Sequence, residues 1–448
     1  MRSLTILAAL LGAVSAAPSL ISRAAPTFSI AKPGGVKDIV ITAENTLNGT
    51  FHSKDTTTVS KGSLNARALS GHLPIQIVNN FSGNQVYAYI TGLDSDNRVV
   101  FVAADGSLVY PSSGGSGVPV PISAPVSIAL PSKGNSITVT LPIVITSARV
   151  YFSEGNLQFF MVKIPTGDGL VQPSVTNLAD PSAGINWGFV ELTYTSDKAV
   201  YANISFVDFV GMILSMSLST TDGSGTQTTK ALTANAVSQV CQGLSQQSSV
   251  DGYPWSSMCI ANSAGTPIRV LSPNDYAVIN SAAFQNYWSP YVDQVWSKYT
   301  STPLTVNTQG YGNVNCQVSG TTLNCNGDNR SYSKPTAADI WGCNSGPFGK
   351  LSTDNNIHLA VIPRLCAAFV RSTLLIAGGN VQPSVGQSQY YTVSPTNHYS
   401  RLVHQLEVDG KGYTFPYDDV NPDGENASGL LSSGAPNVLT LYVGAPPS

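Results

Sequence analysis

Two acidic residues stand out by their surroundings in this chain of 448 residues. Glutamate is scarce: Glu44, Glu154, Glu191, Glu407 and Glu425 are the whole set. Glu191 lies in Trp187-Gly188-Phe189-Val190-Glu191-Leu192-Thr193-Tyr194, where strand alternation puts Phe189, Glu191 and Thr193 on one face. Asp208 lies in Asn203-Ile204-Ser205-Phe206-Val207-Asp208-Phe209-Val210-Gly211, with apolar neighbours on both sides. A carboxylate in such a run costs free energy unless it has a partner or a purpose. Two carboxylates on one surface are the equipment of general acid–base chemistry, glycosidic bond hydrolysis in particular.

Their separation of 17 positions permits two neighbouring antiparallel strands. Direct opposition would centre the turn near Ala199 and Val200, not at the more turn-like Ser196-Asp197-Lys198, so a bulge or asymmetric loop is expected. Opposed side chains start about 5 Å apart at Cβ and diagonal ones about 7–8 Å. That range covers the roughly 5 Å between carboxyls of retaining glycosidases and the roughly 6.5–9.5 Å of inverting ones, so spacing does not choose. Residue chemistry alone favours a plainer alternative, in which both are polar strand residues paired with backbone or with a Lys or Arg.

Other candidates are weaker. Asp418 and Asp419 follow Pro416-Tyr417, where such residues cap backbone groups and position a loop. His404 and the other histidines show no metal spacing, and the absence of close cysteine pairs argues against zinc. No cofactor is expected. There is no Gly-x-Ser-x-Gly elbow; Asp222-Gly223-Ser224-Gly225-Thr226 has its glycines at the wrong offsets and reads as a loop.

The elements that must position Glu191 and Asp208 are strands. Runs at 73–78, 85–91, 99–103, 126–130, 136–141, 149–152, 157–164, 189–194, 200–210 and 213–218 are rich in Val, Ile, Tyr and Thr, and turn residues separate them. After about residue 220 the pattern becomes helical, at 234–245, 274–287, 291–299 (with Ser289 as N-cap and Pro290 at the first position) and 363–377. The tail from 398 to 443 returns to strand-like patterning, clearest at 402–408 and 438–443. The expected organisation is a β domain over 71–219 and 397–448, interrupted by a mixed α/β domain over 220–396, with the groove between them as the place for a ligand. Residues 18–70 read as a propeptide or loosely attached arm.

Composition narrows the partner. Only 10% of residues are charged and the net charge is −3, which leaves no basic surface for nucleic acid. Residues 1–17 have the layout of a cleavable secretory signal, and no later segment has the roughly 18 uninterrupted apolar residues a membrane span needs. Six cysteines in an exported chain imply disulfides, most simply Cys241–Cys259, Cys316–Cys325 and Cys343–Cys366. Sequons at Asn48, Asn80, Asn203, Asn329 and Asn426 fit an exported glycoprotein. A neutral polysaccharide is the expected partner of a soluble monomer.

The stretch from Trp187 to Gly211, with F-V-E-L-T-Y and A-N-I-S-F-V-D-F-V-G, resembles the catalytic region of glycoside hydrolase family 64, the thaumatin-like β-1,3-glucanases. Gly412-Tyr413-Thr414-Phe415-Pro416-Tyr417-Asp418-Asp419 resembles the Y-x-F-x-Y-D-D element that the family shares with thaumatin-like proteins. The resemblance runs from about residue 73 to 443 and leaves the N-terminal arm outside. It implies a mainly β fold, a thaumatin-like β-sandwich or barrel domain plus an inserted α/β domain, with a wide acidic cleft between them. It also implies endo-acting hydrolysis of β-1,3-glucan by inversion, with Glu191 as general acid and Asp208 as general base. The acid would hold its proton through burial against Phe189 or Trp187. Thr193, Thr195, Tyr201 and Ser205 occupy positions where similar enzymes hold the sugar chain, Tyr201 in place of a larger aromatic. The rival reading is a non-catalytic thaumatin-like glucan-binding protein.

Overall fold

The computed structural model describes residues 27–50, 55–60, 72–423 and 428–444. The signal-like segment 1–17 and the sequon at Asn426 lie outside these residues.

A nine-stranded antiparallel sheet carries the site. Its main path runs Leu431–Ser433, Val200–Asn203, Trp187–Tyr194, Ile145–Glu154, Val86–Leu93, Val99–Val102, Leu108–Tyr110 and Thr57–Val59, with Ile128–Ala129 pairing off the path. The central strands are held by one-sided burial: Val190 and Leu192 are closed off from water, whereas Glu191 and Thr193 alternate with them on the open face. Each buried Val or Leu contributes about 1.5–3 kcal/mol, and a one-residue slip would move all of them into water, so the register that exposes Glu191 is strongly specified.

A second sheet has the order Ser136–Leu141, Leu73–Asn80, Pro436–Gly444, Leu214–Thr220 and Thr226–Thr229. Its Pro436–Gly444 strand lies parallel to Leu73–Asn80, so the end of the chain closes against the first strand of the body. Three smaller four-stranded sheets accompany these among the described residues, one containing Thr46–Asn48 and Gly167–Val171, a second Ser29–Ile30, Cys259–Ala261, Pro267–Leu271 and Phe209–Val210, and a third Thr322–Cys325, Asn313–Ser319, Leu304–Asn307 and Val381–Gln382. The arm, read from sequence as loosely attached, is therefore paired into three sheets over its described part, Thr57–Val59 joining the nine-stranded one. Its partners lie far away in the chain, so local patterning could not reveal them.

The helices are Ala236–Asp251, Pro273–Ile279, Ser289–Ser301, Ala337–Gly342, Asn356–Val370 and His398–Gln405. Four depart from expectation. The helix expected over 274–287 is Pro273–Ile279 alone, ending at Asn280. Ser289 lies inside its helix, whose N-cap is Trp288. Pro363 sits in the interior of Asn356–Val370, which starts earlier because Asn355 caps it by accepting from His358 N. Of the tail segment read as strand at 402–408, residues 402–405 are the end of a helix that Asn397 caps by accepting from Ser400 N. The disulfides are Cys241–Cys259, Cys316–Cys325 and Cys343–Cys366, the sequential pairing. Among the described residues no helix is long and apolar enough to cross a membrane.

Candidate active site

Glu191 is placed by direct register between Arg149 on one neighbouring strand and Asn203 on the other. Arg149 Nη2 lies 3.4 Å from Glu191 Oε1, and Asn203 Nδ2 donates to Oε2 at 3.0 Å. The sequon at Asn203 thus has its amide engaged inside the site. Arg149 also reaches Gln172 Oε1 at 3.2 Å and the Tyr151 hydroxyl at 3.4 Å, and it covers the Phe189 ring at 4.3 Å. The ring expected to press on Glu191 therefore carries a cation instead, and the Glu191 side chain keeps 38% of its exposure.

Asp208 reaches the site by another route than the expected neighbouring strand. Residue 203 ends that strand, and the chain crosses out of the large sheet: Ser205 bridges to Tyr413, Phe206 N donates to Tyr413 O at 2.6 Å, and Phe209–Val210 joins Pro267–Leu271. Asp208 sits in this crossing, with its carbonyl accepting from Ser272 N at 2.8 Å. The turn before the crossing falls at Ser196-Asp197, the more turn-like position. Two glycines let the crossing pack under the Glu191 strand. A Cβ on Gly188 would come within 2.8 Å of Met212 O, and one on Gly211 would collide with Trp187 O. Met212 N donates to that same Trp187 carbonyl at 3.0 Å. Arg269, fully buried behind Trp187, fastens the approach by donating to Ala183 O and Ile185 O at 2.7 Å each.

The charges around Asp208 are unequal. Withdrawal from water pushes its carboxyl above the usual range, Arg149 opposes this, and Glu191 and Glu44 add to it. Asp275, in the first turn of Pro273–Ile279, is pushed well above the usual range by burial and then by the charge of Asp208. Arg149 stays firmly protonated: burial alone would loosen its proton, but Tyr151, Glu191 and Asp208 outweigh that. One cation therefore acts on both expected catalytic carboxylates.

A hollow of about 420 Å³ opens over this surface, lined by Arg149, Glu191, Thr193, Tyr201 and Asn203 and also by Glu44. Tyr201 lies directly across from Thr193 and is 47% exposed, available as a platform. Thr195 and Ser205 are not among the lining residues. The Thr195 hydroxyl closes the turn by bonding Asp197 and Ala199 O, and Ser205 Oγ accepts from Val207 N at 3.3 Å. Arg149, Gln172, Asn203 and Asp275 escaped the sequence reading; only Asn203 had been marked at all, as a sequon. No group of three or more His, Cys, Asp or Glu among the described residues is arranged to hold a metal ion.

The chain is 30% identical over 367 residues to the glucan endo-1,3-beta-glucosidases of Cellulosimicrobium cellulans and of Arthrobacter sp. (strain YCWD3), over 79% of this chain and 62% of each relative. It thus spans about three-fifths of the length of the curated relatives it matches. A solved laminaripentaose-producing β-1,3-glucanase in complex with laminaritetraose superposes with a TM-score of 0.72 at 28% identity, covering 84% of this chain and 99% of that one. A β-1,3-glucanase domain from Clostridium beijerinckii shares the fold with a TM-score of 0.63 at 21% identity, over 85% of this chain and 100% of that domain. Residues 71–443 match the β-1,3-glucanase family, glycoside hydrolase family 64, and the chain belongs to that family.

Proposed function

We propose that this protein is an exported, monomeric endo-β-1,3-glucanase that hydrolyses β-1,3-glucan in one inverting step, the glucan lying in a thaumatin-like cleft beside Glu191 and Asp208. Glu191 protonates the leaving glycosidic oxygen. Asp208 takes a proton from water, whose oxygen attacks the anomeric carbon from the opposite face as the glycosidic bond breaks. The observation that carries the reading is the shared cation: Arg149 acts on two carboxylates whose surroundings differ, Glu191 being gripped by Arg149 and Asn203, and Asp208 being raised by its withdrawal from water. Raising a general base toward the working pH strengthens it. Glu191 remains open to water until a sugar covers it. Thr193 and Tyr201 line the hollow and would hold the sugar. Thr195 would act on the turn and Ser205 on the crossing.

The raised carboxyl of Asp208 also favours a second reading, with the two roles exchanged. Purified protein, Glu191→Gln and Asp208→Asn would be assayed on laminarin and on a laminari-oligoside with a dinitrophenyl leaving group, with the anomer followed by NMR. The first reading expects α-anomeric product from laminarin, a loss of about 100-fold or more in each variant, and activity of Glu191→Gln retained on the activated substrate, which needs no acid. Exchanged roles would leave Asp208→Asn as the variant active there. Glucan binding without sugar release would replace both readings with the non-catalytic glucan-binding protein.

A further inference from the structure

The N-terminal arm precedes the region that matches the family, which begins at residue 71, yet its described part reaches the candidate site. Besides the pairing of Thr57–Val59 with Leu108–Tyr110, two stitches hold the part that reaches the site. At one end Ser29–Ile30 pairs with Ile260 and Ala261, Ala31 N donates to Ala261 O at 2.9 Å, and Ala31 is 2% exposed. At the other, Thr46–Asn48 pairs with Gly169–Val171, and Gln172 N donates to Asn45 O at 2.8 Å. Between them Asn177 Nδ2 donates to Asp38 O, and Lys32 N and Gly34 N donate to Leu178 O and Ala179 O.

The arm then forms a tight turn. Asn45 Oδ1 accepts from Thr42 N and Asn45 Nδ2 donates to Val40 O, each at 2.8 Å, and Asn45 is itself buried. This turn sets Ala43 and Glu44 against the hollow that holds Glu191, Thr193 and Tyr201. Asn45 is bonded to Gln172, Gln172 to Arg149, and Arg149 to Glu191, so the arm is tied to the carboxylate it faces. Backbone pairing at both ends with buried residues between describes a built-in wall, not a leader draped over the surface.

We propose that the arm is a fixed wall of the glucan cleft and that Glu44 on it positions the substrate by accepting hydrogen bonds from the hydroxyls of a glucosyl unit beside Glu191. The chemistry fits because a sugar ring offers several hydroxyl donors. The amides of Asn203 and Gln172 already serve Glu191 and Arg149, and Glu44 has no hydrogen bond or ion pair among the described residues. The inference rests on a glucan occupying this hollow.

The test compares the full-length protein with Glu44→Ala, Glu44→Gln and Asn45→Ala on laminarin and laminarihexaose. Removing one charged hydrogen-bond acceptor from both bound states should raise KM about tenfold in Glu44→Ala with kcat within about twofold. Glu44→Gln, which keeps an acceptor, should recover part of the loss. Because Glu44 is exposed, its variants should melt with the wild type; Asn45→Ala, which loosens the turn, should also raise KM. If wild type turns over and Glu44→Ala keeps the wild-type KM, the proposal is overturned while the glucanase reading stands. If wild type binds laminarin without turnover, the glucanase reading fails, and the same tenfold shift is then sought in laminarin dissociation constants, where its absence overturns the proposal.

Discussion

Replacing Asp418 by asparagine keeps its shape and removes one charge from a buried cluster, and the cost can be worked from the cluster's geometry. Asp418 is 1% exposed and Arg371 3%, with Nη2 2.9 Å from the carboxylate. His404 Nε2 lies 3.0 Å from Asp418 Oδ2, and its Nδ1 lies 3.0 Å from Glu407. Thr414 donates to Asp418 through its backbone N at 2.9 Å and its hydroxyl at 2.8 Å. Burial alone would lower His404, but Asp418 and Glu407 hold it up at about 10, against an ordinary 6.5. Burial alone would raise Asp418, but His404 and Arg371 hold it down at about 2, against 3.8. The two shifts convert to about 5 and about 2.5 kcal/mol. Their range brackets the roughly 3–5 kcal/mol expected for breaking a buried pair. His404 is raised, so its stabilisation is whole below 6.5 and is lost as pH climbs through about 10. Asp418 is depressed, so its share is whole above 3.8 and is lost as pH falls through about 2. Urea unfolding followed by tryptophan fluorescence should therefore show Asp418→Asn destabilised by about 3–5 kcal/mol at pH 6. The penalty should shrink by about 2 kcal/mol or more at pH 9.5, where the wild type has lost much of the histidine's contribution. A penalty below about 1 kcal/mol, or one equal at both pH values, would refute the reasoning. The cluster matters to the site because Thr414 follows Tyr413, whose carbonyl holds Phe206 two residues before Asp208.

Two further outcomes follow from the site. Arg149 lowers the Asp208 carboxyl, so Arg149→Gln should move the acid limb of the kcat/KM profile on laminarin to higher pH by about one unit; an unmoved limb would separate Arg149 from the general base. Tyr201→Ala should raise KM for laminarin about 2–12-fold through lost stacking, and because Tyr201 is 47% exposed its melting temperature should match wild type.

Much of the fold was legible because strand periodicity is a local signal. Leu73–Asn80, Ser136–Leu141, Leu214–Thr220 and Pro436–Gly444 fall where alternating apolar residues predict them, since each buries one face. The misread segments involve competition that periodicity does not see. The 402–408 stretch has apolar residues that suit either a strand or one helical face, and the Asn397 cap decides for the helix. Pro363 looked like a beginning because proline favours the first turn, but the Asn355 cap lies eight residues earlier and neighbouring helices supply the packing. The arm was illegible for a different reason: its strands are two and three residues long and exist only because distant edges accept them.

The site itself separates into what a strand shows and what a crossing hides. Glu191 was readable, since a charged residue between Val190 and Leu192 must face away from the core and so faces whatever lies above the sheet. Asp208 was readable as a residue but not as a position. The run from 200 to 210 has continuous strand-like composition, yet its two ends belong to different sheets, Val200–Asn203 pairing with Glu191's strand and Phe209–Val210 with Pro267–Leu271. The clue lay in glycine. Gly188 and Gly211 bracket the motif, and neither position tolerates a Cβ, because a backbone carbonyl stands in its way at each, Met212 O at Gly188 and Trp187 O at Gly211. That contact fixes Asp208 from below while Asn203 takes the seat opposite Glu191. Glu191 is thereby supplied by the large sheet and Asp208 by the crossing that leaves it for a second one, so their separation is set by how that seam packs and not by the pairing distance within one sheet. A Gly211→Ala substitution should then lower kcat more than it raises KM, because it widens the seam without touching the Thr193 and Tyr201 wall of the hollow, and steady-state kinetics on laminarin would expose the opposite pattern if the seam has no such role.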